Sequence, residues 1–542
     1  MRSTMMQVPL SVNTLLEHAN ALYPTREVVS RRPDKSLHRC NYGAVYKRAR
    51  QLAQALQRAG IERGEAVGTL MWNHWAHLEA YFGIPAAAAV LHTLNLRLSP
   101  EDLAYIIGDA GDRMILIDDV LLPIWEKVKP LLKKVPRIVV FAFSGAPVPQ
   151  GYENYEDFIA ADASAYRYAE QDENEAMGMC YTSGTTGRPK GVVYSHRSMV
   201  LHSIVTPMPD VIGTSSRDTI LIVTPMFHAN AWAMPFSALM LGAKQVFPGP
   251  HMAGDDLLEL MERERVTLAL GVPTVWMMVL QSLQSDKRNW DLVKGMRMTV
   301  GGAAVPRSLI EAFDKFGLNI RQGWGMTETS PVGSLTSIKP NLADAPAETL
   351  YGIRARAGLQ LPLVQLRIVD DAGEVLPWDG VSTGELQCRG PWVAGGYHNQ
   401  PTDPEKFTAD GWLRTGDVAT IDPEGYLRIA DRTKDLIKSG GEWISSVDLE
   451  NSIMGHPAVA EAAVIAVKHP KWDERPLAVV VKKPGKEVTP QELRELLLVH
   501  FAKWQVPDDF AFVAALPRTS TGKFLKNKLR QDFKDWVSKT PA

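Results

Sequence analysis

A chain of 542 residues is too long for one hydrophobic core and is expected to divide into two or more domains. A net charge of −2 argues against a nucleic-acid binder working through bulk electrostatics, and 45% apolar with 22% charged residues is ordinary for a globular protein. Cys40, Cys180 and Cys388 lie too far apart for metal-ligand spacing or a disulfide framework, which favours a cytoplasmic setting. The N-terminus has no signal-peptide pattern, and no window is long and apolar enough for a membrane span. Val45, Ala49, Leu52, Ala53 and Leu56 share one helical face, and Gly60 ends that helix. Residues 66–71 read as a buried strand, and the apolar run 81–91, which contains Pro85, reads as a buried helix. Strands are expected at 221–224, 267–271 and 296–300, the last leading through Gly301-Gly302 into a helix opened by Pro306. Repeated strand–turn–helix units predict an α/β fold of parallel sheets covered by helices, with ligands beyond the strands' carboxyl ends. Near residue 380 the pattern changes to short strands around 384–388, 411–414 and 426–429. A boundary is expected close to Asp431, dividing a domain of residues 1–430 from a smaller α+β domain of residues 431–542. The smaller domain begins with a capped helix at 446–454, followed by strands at 462–467 and 477–481. A helix opened by Thr489-Pro490 comes next, and a basic helix after Gly522 closes it.

Residues 181–191 read Tyr-Thr-Ser-Gly-Thr-Thr-Gly-Arg-Pro-Lys-Gly. Glycines that turn backbone N–H groups toward a ligand, four hydroxyls and Lys190 together suit phosphate oxygens. A Walker loop would need Gly-Lys-[Ser/Thr] opening a helix, whereas Pro189 precedes Lys190 and Gly191 follows it, so this is a phosphate loop of another kind. Apolar runs on both sides argue against a surface linker. Gly323-Trp324-Gly325-Met326-Thr327-Glu328 offers an aromatic that can stack on a base and a carboxylate that can hold Mg²⁺ against phosphates. Read alone, it is equally a tight turn with a solvated Glu328. Asp417, after Arg414-Thr415-Gly416, can accept hydrogen bonds from ribose hydroxyls, though Gly-Asp turns are usually structural. Residues 431–443 gather charges and a Gly-Gly pair at the suspected domain junction, as a solvated linker or as a hinge engaging a phosphorylated ligand. Lys523, on a Ser/Thr/Gly turn, is either solvated or a movable cation for developing phosphate charge. No Ser-His-Asp or Cys-His relay and no zinc motif is legible. That fits a substrate with its own nucleophile, because a carboxylate can attack the α-phosphate of ATP and a thiol can then attack the mixed anhydride.

Together these five stretches resemble the adenylate-forming superfamily of acyl-CoA synthetases, peptide-synthetase adenylation domains and luciferases. Within it the chain is similar to bacterial medium- and long-chain fatty-acid–CoA ligases. The resemblance implies a large N-terminal domain of two αβ subdomains plus a small β-barrel, and a C-terminal domain that rotates. It implies ATP, Mg²⁺ and CoA, with Thr182 and Glu328 as metal ligands and Lys523 as the lysine that drives adenylation. Ser183, Gly184, Thr185, Thr186, Gly187 and Lys190 would cover the ATP phosphates. Gly302, Gln322, Gly323, Trp324 and Thr327 would line the adenylate, with Asp417, Arg432 and Lys434 around the nucleotide. Trp324 departs from the tyrosine of many relatives but still permits stacking. Asp431 is the implied hinge, and Lys438, Gly440, Gly441 and Trp443 the CoA side. Phe227 and His228 should lie beside the acyl carboxylate, with Trp232 gating an acyl tunnel or serving as plain core. The segment 225–232 has no acid, against an amino-acid substrate. Trp276, Met277 and Met278 suit an apolar pocket, although Met-rich helices are more often core. The first expectation is a medium-chain fatty acid; aryl or thioether-propionate acids, or loading of a carrier protein in trans, are the alternatives. A homodimer and peripheral membrane contact are further implications of the resemblance, and nothing in the sequence displays an interface.

Overall fold

A computed structural model describes residues 1, 3–182, 188–285, 288–439, 442–469, 471–518 and 523–536. The alternation read from the sequence produces two large sheets. In the seven-stranded sheet, Met114–Asp118, Ala66–Leu70, Val90–Thr93 and Ala176–Tyr181 run parallel, and Gly191–Ser195 closes one edge antiparallel to Ala176–Tyr181. The nine-stranded sheet has a parallel centre, in which Asn319–Gly325, Arg297–Val300, Leu268–Gly271, Thr219–Ile222, Lys244–Phe247 and Glu27–Arg31 follow one another. The small barrel that the resemblance implies is a four-stranded antiparallel sheet of Gln365–Val369, Gly384–Arg389, Leu413–Ile421 and Leu427–Arg432. A five-stranded sheet built from residues 437–512 forms the C-terminal part, flanked by the helices Ser446–Met454, Pro490–Leu498 and Lys526–Asp532. No helix among the described residues is long and apolar enough to cross a membrane.

The helix Trp75–Ala86 is buried on every side, as expected for a helix that is apolar all round. It touches strands of both large sheets, and Tyr81 stacks on Phe236 at 5.4 Å between ring centres. The run 81–91 is therefore not one helix. The helix stops at Ala86, the chain turns with Ala88 at φ +61°, and Val90–Thr93 continues as a strand. An unbroken apolar run has no periodicity that separates a buried helix from a buried strand. The Met-rich helix Pro273–Gln284 also differs from its pocket reading. Trp276 is fully buried in a core with Leu257 and Val279, while Met278 is exposed. The main neighbours of that helix are the helices Gly254–Arg263 and Arg307–Asp314.

Asn73, beyond the Ala66–Leu70 strand, ties the two large sheets together. Its Nδ2 donates to the carbonyls of Ile222 (2.9 Å) and Thr224 (2.8 Å), and its Oδ1 accepts from the Met226 N–H at 2.8 Å. All of these groups are buried, so losing the amide leaves backbone atoms unpaired. Asn73→Ala should lower stability by roughly 2–4 kcal/mol, read as a reduced urea midpoint at constant m-value.

Candidate functional site

The phosphate-type loop springs from a hairpin. Tyr181 pairs with Gly191, the Thr182 N–H donates to the Lys190 carbonyl, and the Lys190 N–H donates to Thr182 Oγ1, both at 3.0 Å. These bonds clasp the neck of the loop. Ser183, Gly184, Thr185, Thr186 and Gly187 lie outside the described residues. Lys190 Nζ sits 4.7 Å from the ring centre of Tyr397, and the Tyr397 hydroxyl donates to Glu328 Oε1 at 2.7 Å. One aromatic side chain thus joins the loop lysine to the expected metal ligand. The Tyr397 segment is docked against the hairpin through the His398 N–H, which donates to the Gly191 carbonyl at 2.8 Å.

Glu328 occupies the short turn Thr327–Thr329 after the Asn319–Gly325 strand. Tyr194 donates to the Thr327 carbonyl at 2.8 Å, and the Ala394 N–H donates to the Glu328 carbonyl at 2.7 Å. The turn is therefore fixed from two other segments. The Glu328 side chain is buried, and among the described residues no salt bridge neutralises it. One such carboxylate, with the Thr182 hydroxyl from the loop neck, fits Mg²⁺, which takes few protein ligands and shares phosphate oxygens. No cluster of three or more acidic, His or Cys side chains suited to an all-protein metal site occurs among the described residues.

Trp324 and Asp417 come together from different sheets. Trp324 Nε1 donates to Asp417 Oδ2, and Arg432 Nε pairs with Asp417 Oδ1, each at 2.7 Å. A Cβ on Gly333 would lie 2.5 Å from the indole, so only glycine there leaves the ring its place. An ionised carboxylate has about four lone-pair sites, so Asp417 retains acceptor capacity for ribose. Gln322 spends its Oε1 on the Val305 N–H at 3.0 Å, holding the segment beyond Gly302. Gly302 has φ +88°, and Lys523 Cε would lie 3.7 Å from a Cβ placed on it.

A cleft of about 320 Å³ collects Gly302, Gln322, Trp324, Asp417, Arg432 and Lys523, with Gly323 and Lys434 also at its wall. Burial and the neighbouring Arg432 pull the Lys523 pKa down to about 8, partly opposed by Asp417 and Glu328. Lys434 is lowered for the same first reason, burial. Arg432 is raised, chiefly by Asp417. At the nucleotide wall Arg432, Lys434 and Lys523 gather around Asp417, an arrangement suited to a polyanion.

The apolar segment 225–232 adjoins this cleft. Residues 229–233 all have positive φ, from 42° to 58°, and none is glycine. Such a left-handed turn costs about 1–2 kcal/mol per residue, so packing must hold it. Asn230 is completely buried and accepts the Cys180 thiol at 2.7 Å, while Tyr81 donates to the Met226 carbonyl. Trp232 is buried, and its Cη2 would lie 3.2 Å from a Cβ on Gly301. Burial, then Lys523 and Arg97, pull His228 down to about 4, so the imidazole is neutral near pH 7. Phe227 packs in the core beside Trp125 and Ile117 and lies under the Arg97 guanidinium.

The remaining expectations separate here. Asp431 does not sit in a free linker. It is registered with Val418 inside the Leu427–Arg432 strand, and Arg432 with Asp417. A torsion change at Asp431 would open that ladder. Residues 433–436 follow it as a turn, in which Thr433 still donates its N–H to the Gly416 carbonyl at 3.0 Å. Lys438 and Trp443 face each other across the Ile437–Ser439 and Glu442–Ile444 strands, Lys438 Nζ lying 5.3 Å over the indole. Trp443 is 47% exposed and does not line the cleft. Gly440 and Gly441 lie outside the described residues. Tyr397, Asn73 and Asn230 had no sequence signal, since each acts on a partner more than 45 residues away.

The AMP-binding enzyme family matches residues 16–398, and the AMP-binding enzyme C-terminal domain matches residues 448–523. The chain is 49% identical to a long-chain-fatty-acid–CoA ligase of Thermus thermophilus, over 98% of this chain and 97% of that protein. It is 45% identical to a 3-methylmercaptopropionyl-CoA ligase of Ruegeria lacuscaerulensis, over 99% of each. It is 44% identical to a medium-chain-fatty-acid–CoA ligase of Ectopseudomonas oleovorans, over 99% of this chain and 98% of that one.

Trp324→Phe keeps the ring and removes the N–H that orients Asp417. It should weaken AMP binding roughly tenfold, the worth of one hydrogen bond to a charged group, measured by calorimetry.

Proposed function

The chain belongs to the AMP-binding enzyme family, and on that premise we propose that this ATP-dependent acid–CoA ligase activates an aliphatic fatty acid, medium-chain acids first. The carrying observation is the convergence of Lys523, Arg432, Asp417 and Trp324 on one cleft, with Trp232 of the acid-free segment 225–232 packed against Gly301, beside the cleft-lining Gly302. In the first half-reaction the substrate carboxylate oxygen attacks the α-phosphorus of ATP and the bond to pyrophosphate breaks. In the second, the CoA thiol attacks the acyl carbonyl and AMP leaves. Asp417, Arg432 and Trp324 orient the nucleoside. Lys523 stabilises charge developing on the phosphates. Mg²⁺ bound with ATP at Thr182 and Glu328 would supply further charge neutralisation. Neutral His228 and buried Phe227 and Trp232 flank the acyl group without repelling its carboxylate.

After pyrophosphate leaves, the C-terminal domain turns about residues 433–436, withdrawing Lys523 and bringing the Lys438–Trp443 hairpin to the CoA side. The paired strand containing Asp431 supports placing the pivot just beyond it. Apolar tunnels separate chain lengths weakly, because one buried CH₂ is worth only about 0.8 kcal/mol. The 45% identical thioether-acid ligase favours a second reading, a short thioether acid as the preferred substrate. We place the enzyme in the cytoplasm as a homodimer; light scattering giving the mass of one chain would reject the dimer.

Incubation with octanoate, ATP and CoA should release AMP; release of ADP would reject the reaction. Ranking C4 to C16 acids and 3-methylthiopropionate by kcat/KM decides between the two substrates. Lys523→Ala should slow acyl-adenylate formation by about 10²–10³ while sparing thioester formation from supplied adenylate. The folded pKa of Lys523 is depressed and the acting form is the cation, so the adenylation rate should fall as pH rises through about 8. In Lys523→Arg that fall should move to higher pH. Thr433 donates its backbone N–H to the Gly416 carbonyl, and Asp435 and Leu436 donate theirs to the Arg432 carbonyl. Lys434→Pro spares those bonds and stiffens φ, so it should leave adenylation largely intact and slow thioester formation. The reverse pattern would place the pivot elsewhere.

A further inference from the structure

The same cleft extends past the nucleotide wall to a buried ionic cluster that the reaction above does not use. Asp431, at the end of the antiparallel sheet, is 1% exposed. Its Oδ2 accepts from the Ser446 N–H at 2.8 Å and from the Ser446 hydroxyl, at the start of the Ser446–Met454 helix. The preceding residue, Ser445, caps that helix and donates its hydroxyl to the Ala430 carbonyl. A carboxylate at a helix start is favoured by the unpaired N–H groups and the helix dipole. Lys526, the first residue of the Lys526–Asp532 helix, donates to Ser446 Oγ at 2.5 Å and pairs with Glu450 Oε1 at 2.7 Å. Glu450 is buried and also accepts the Val464 N–H at 2.7 Å, so it cannot follow Lys526 elsewhere without leaving that donor unpaired.

The cluster joins elements on opposite sides of the 433–436 segment. Asp431 precedes it; Ser446, Glu450 and Lys526 follow it. Lys523 lies three residues before Lys526 on the same stretch of chain. Rotation about 433–436 would separate Asp431 from Ser446 and Lys526 while leaving the Lys526–Glu450 pair intact. Charges facing Lys526 come from Glu450, Asp431 and Asp435, and Asp435 is itself paired with Arg530 at 2.7 Å. Burial pushes Glu450 up to about 7 and raises Asp431, in each case against the pull of Lys526. In this orientation Glu450 and Asp431 both act on one buried lysine.

We propose that Lys526, anchored by Glu450, is a positioning residue for adenylation that latches Ser446 onto Asp431 and so holds Lys523 in the cleft. The latch rests on the acyl-adenylate reading and adds to it a specific restraint on the domain rotation. It predicts a selective defect, since rotation about 433–436 would break the contact.

The test uses the full-length enzyme in separate half-reactions, pyrophosphate release for adenylation and CoA consumption from supplied acyl-adenylate for thioester formation. Lys526→Met should slow adenylation by roughly 10- to 100-fold, the range for losing a hydrogen-bond partner of a charged group, and leave thioester formation within about twofold. Lys526→Arg should restore most of the adenylation rate. If Lys526→Met fails to fold, Ser446→Ala removes the bridging hydroxyl alone and should show the same selective loss, several-fold in size by the same reasoning. Equal losses in both half-reactions, or no loss in adenylation, would overturn the latch. A wild-type enzyme that makes no acyl-adenylate would instead reject the reaction itself.

Discussion

The Asp417 carboxylate holds an indole N–H from the nine-stranded sheet on one oxygen and a guanidinium from the neighbouring antiparallel strand on the other. Much of the site depends on this shared acceptor. Trp324 reaches it because Gly333 leaves room for the ring. Arg432 reaches it because the Leu413–Ile421 and Leu427–Arg432 strands are registered with Asp417 opposite Arg432. Arg432 in turn helps depress Lys523. One carboxylate therefore orients both the indole and the guanidinium at this wall of the cleft. A bound polyanion would relieve the repulsion between Arg432 and Lys523, which makes the cleft hospitable to ATP and less stable when only protein charges fill it.

The segment 225–233 depends on strain rather than charge. Five consecutive residues in the left-handed region are held by the Asn230–Cys180 bond, by Tyr81 on Met226 and by Asn73 on the same segment. Cys180 belongs to the strand that leads into the phosphate loop two residues later. The 225–233 segment is thus hydrogen-bonded to the strand that leads into the loop, and backbone strain of this kind persists where surrounding contacts over-determine it.

How far the sequence reaches depends on whether a feature is local. The turn after Trp324 and the Thr489-capped helix each carry their signal within a few residues, and these could be read directly. The capped helix Ser446–Met454 has the bounds read from the sequence. The apolar run 81–91 could not be divided, because uniform hydrophobicity conceals the change from helix to strand at Ala86. The strand at Asp431 was not legible for a similar reason. Its charge and its place at a composition change suggest a linker, but only the pairing with Val418 reveals a strand.

Sequence alone determined the chemistry this protein can perform, since the donors, acceptors and cations of its motifs are properties of side chains in short segments. Tertiary structure decided which groups act together. Tyr397 joins Lys190 to Glu328, Asn73 joins the two large sheets, and Lys526 joins Glu450 to the Asp431 helix start. Each of these links closes a long loop of chain around a buried polar group. No local pattern encodes such a closure, because its stability comes from desolvated partners that meet only after the sheets have assembled.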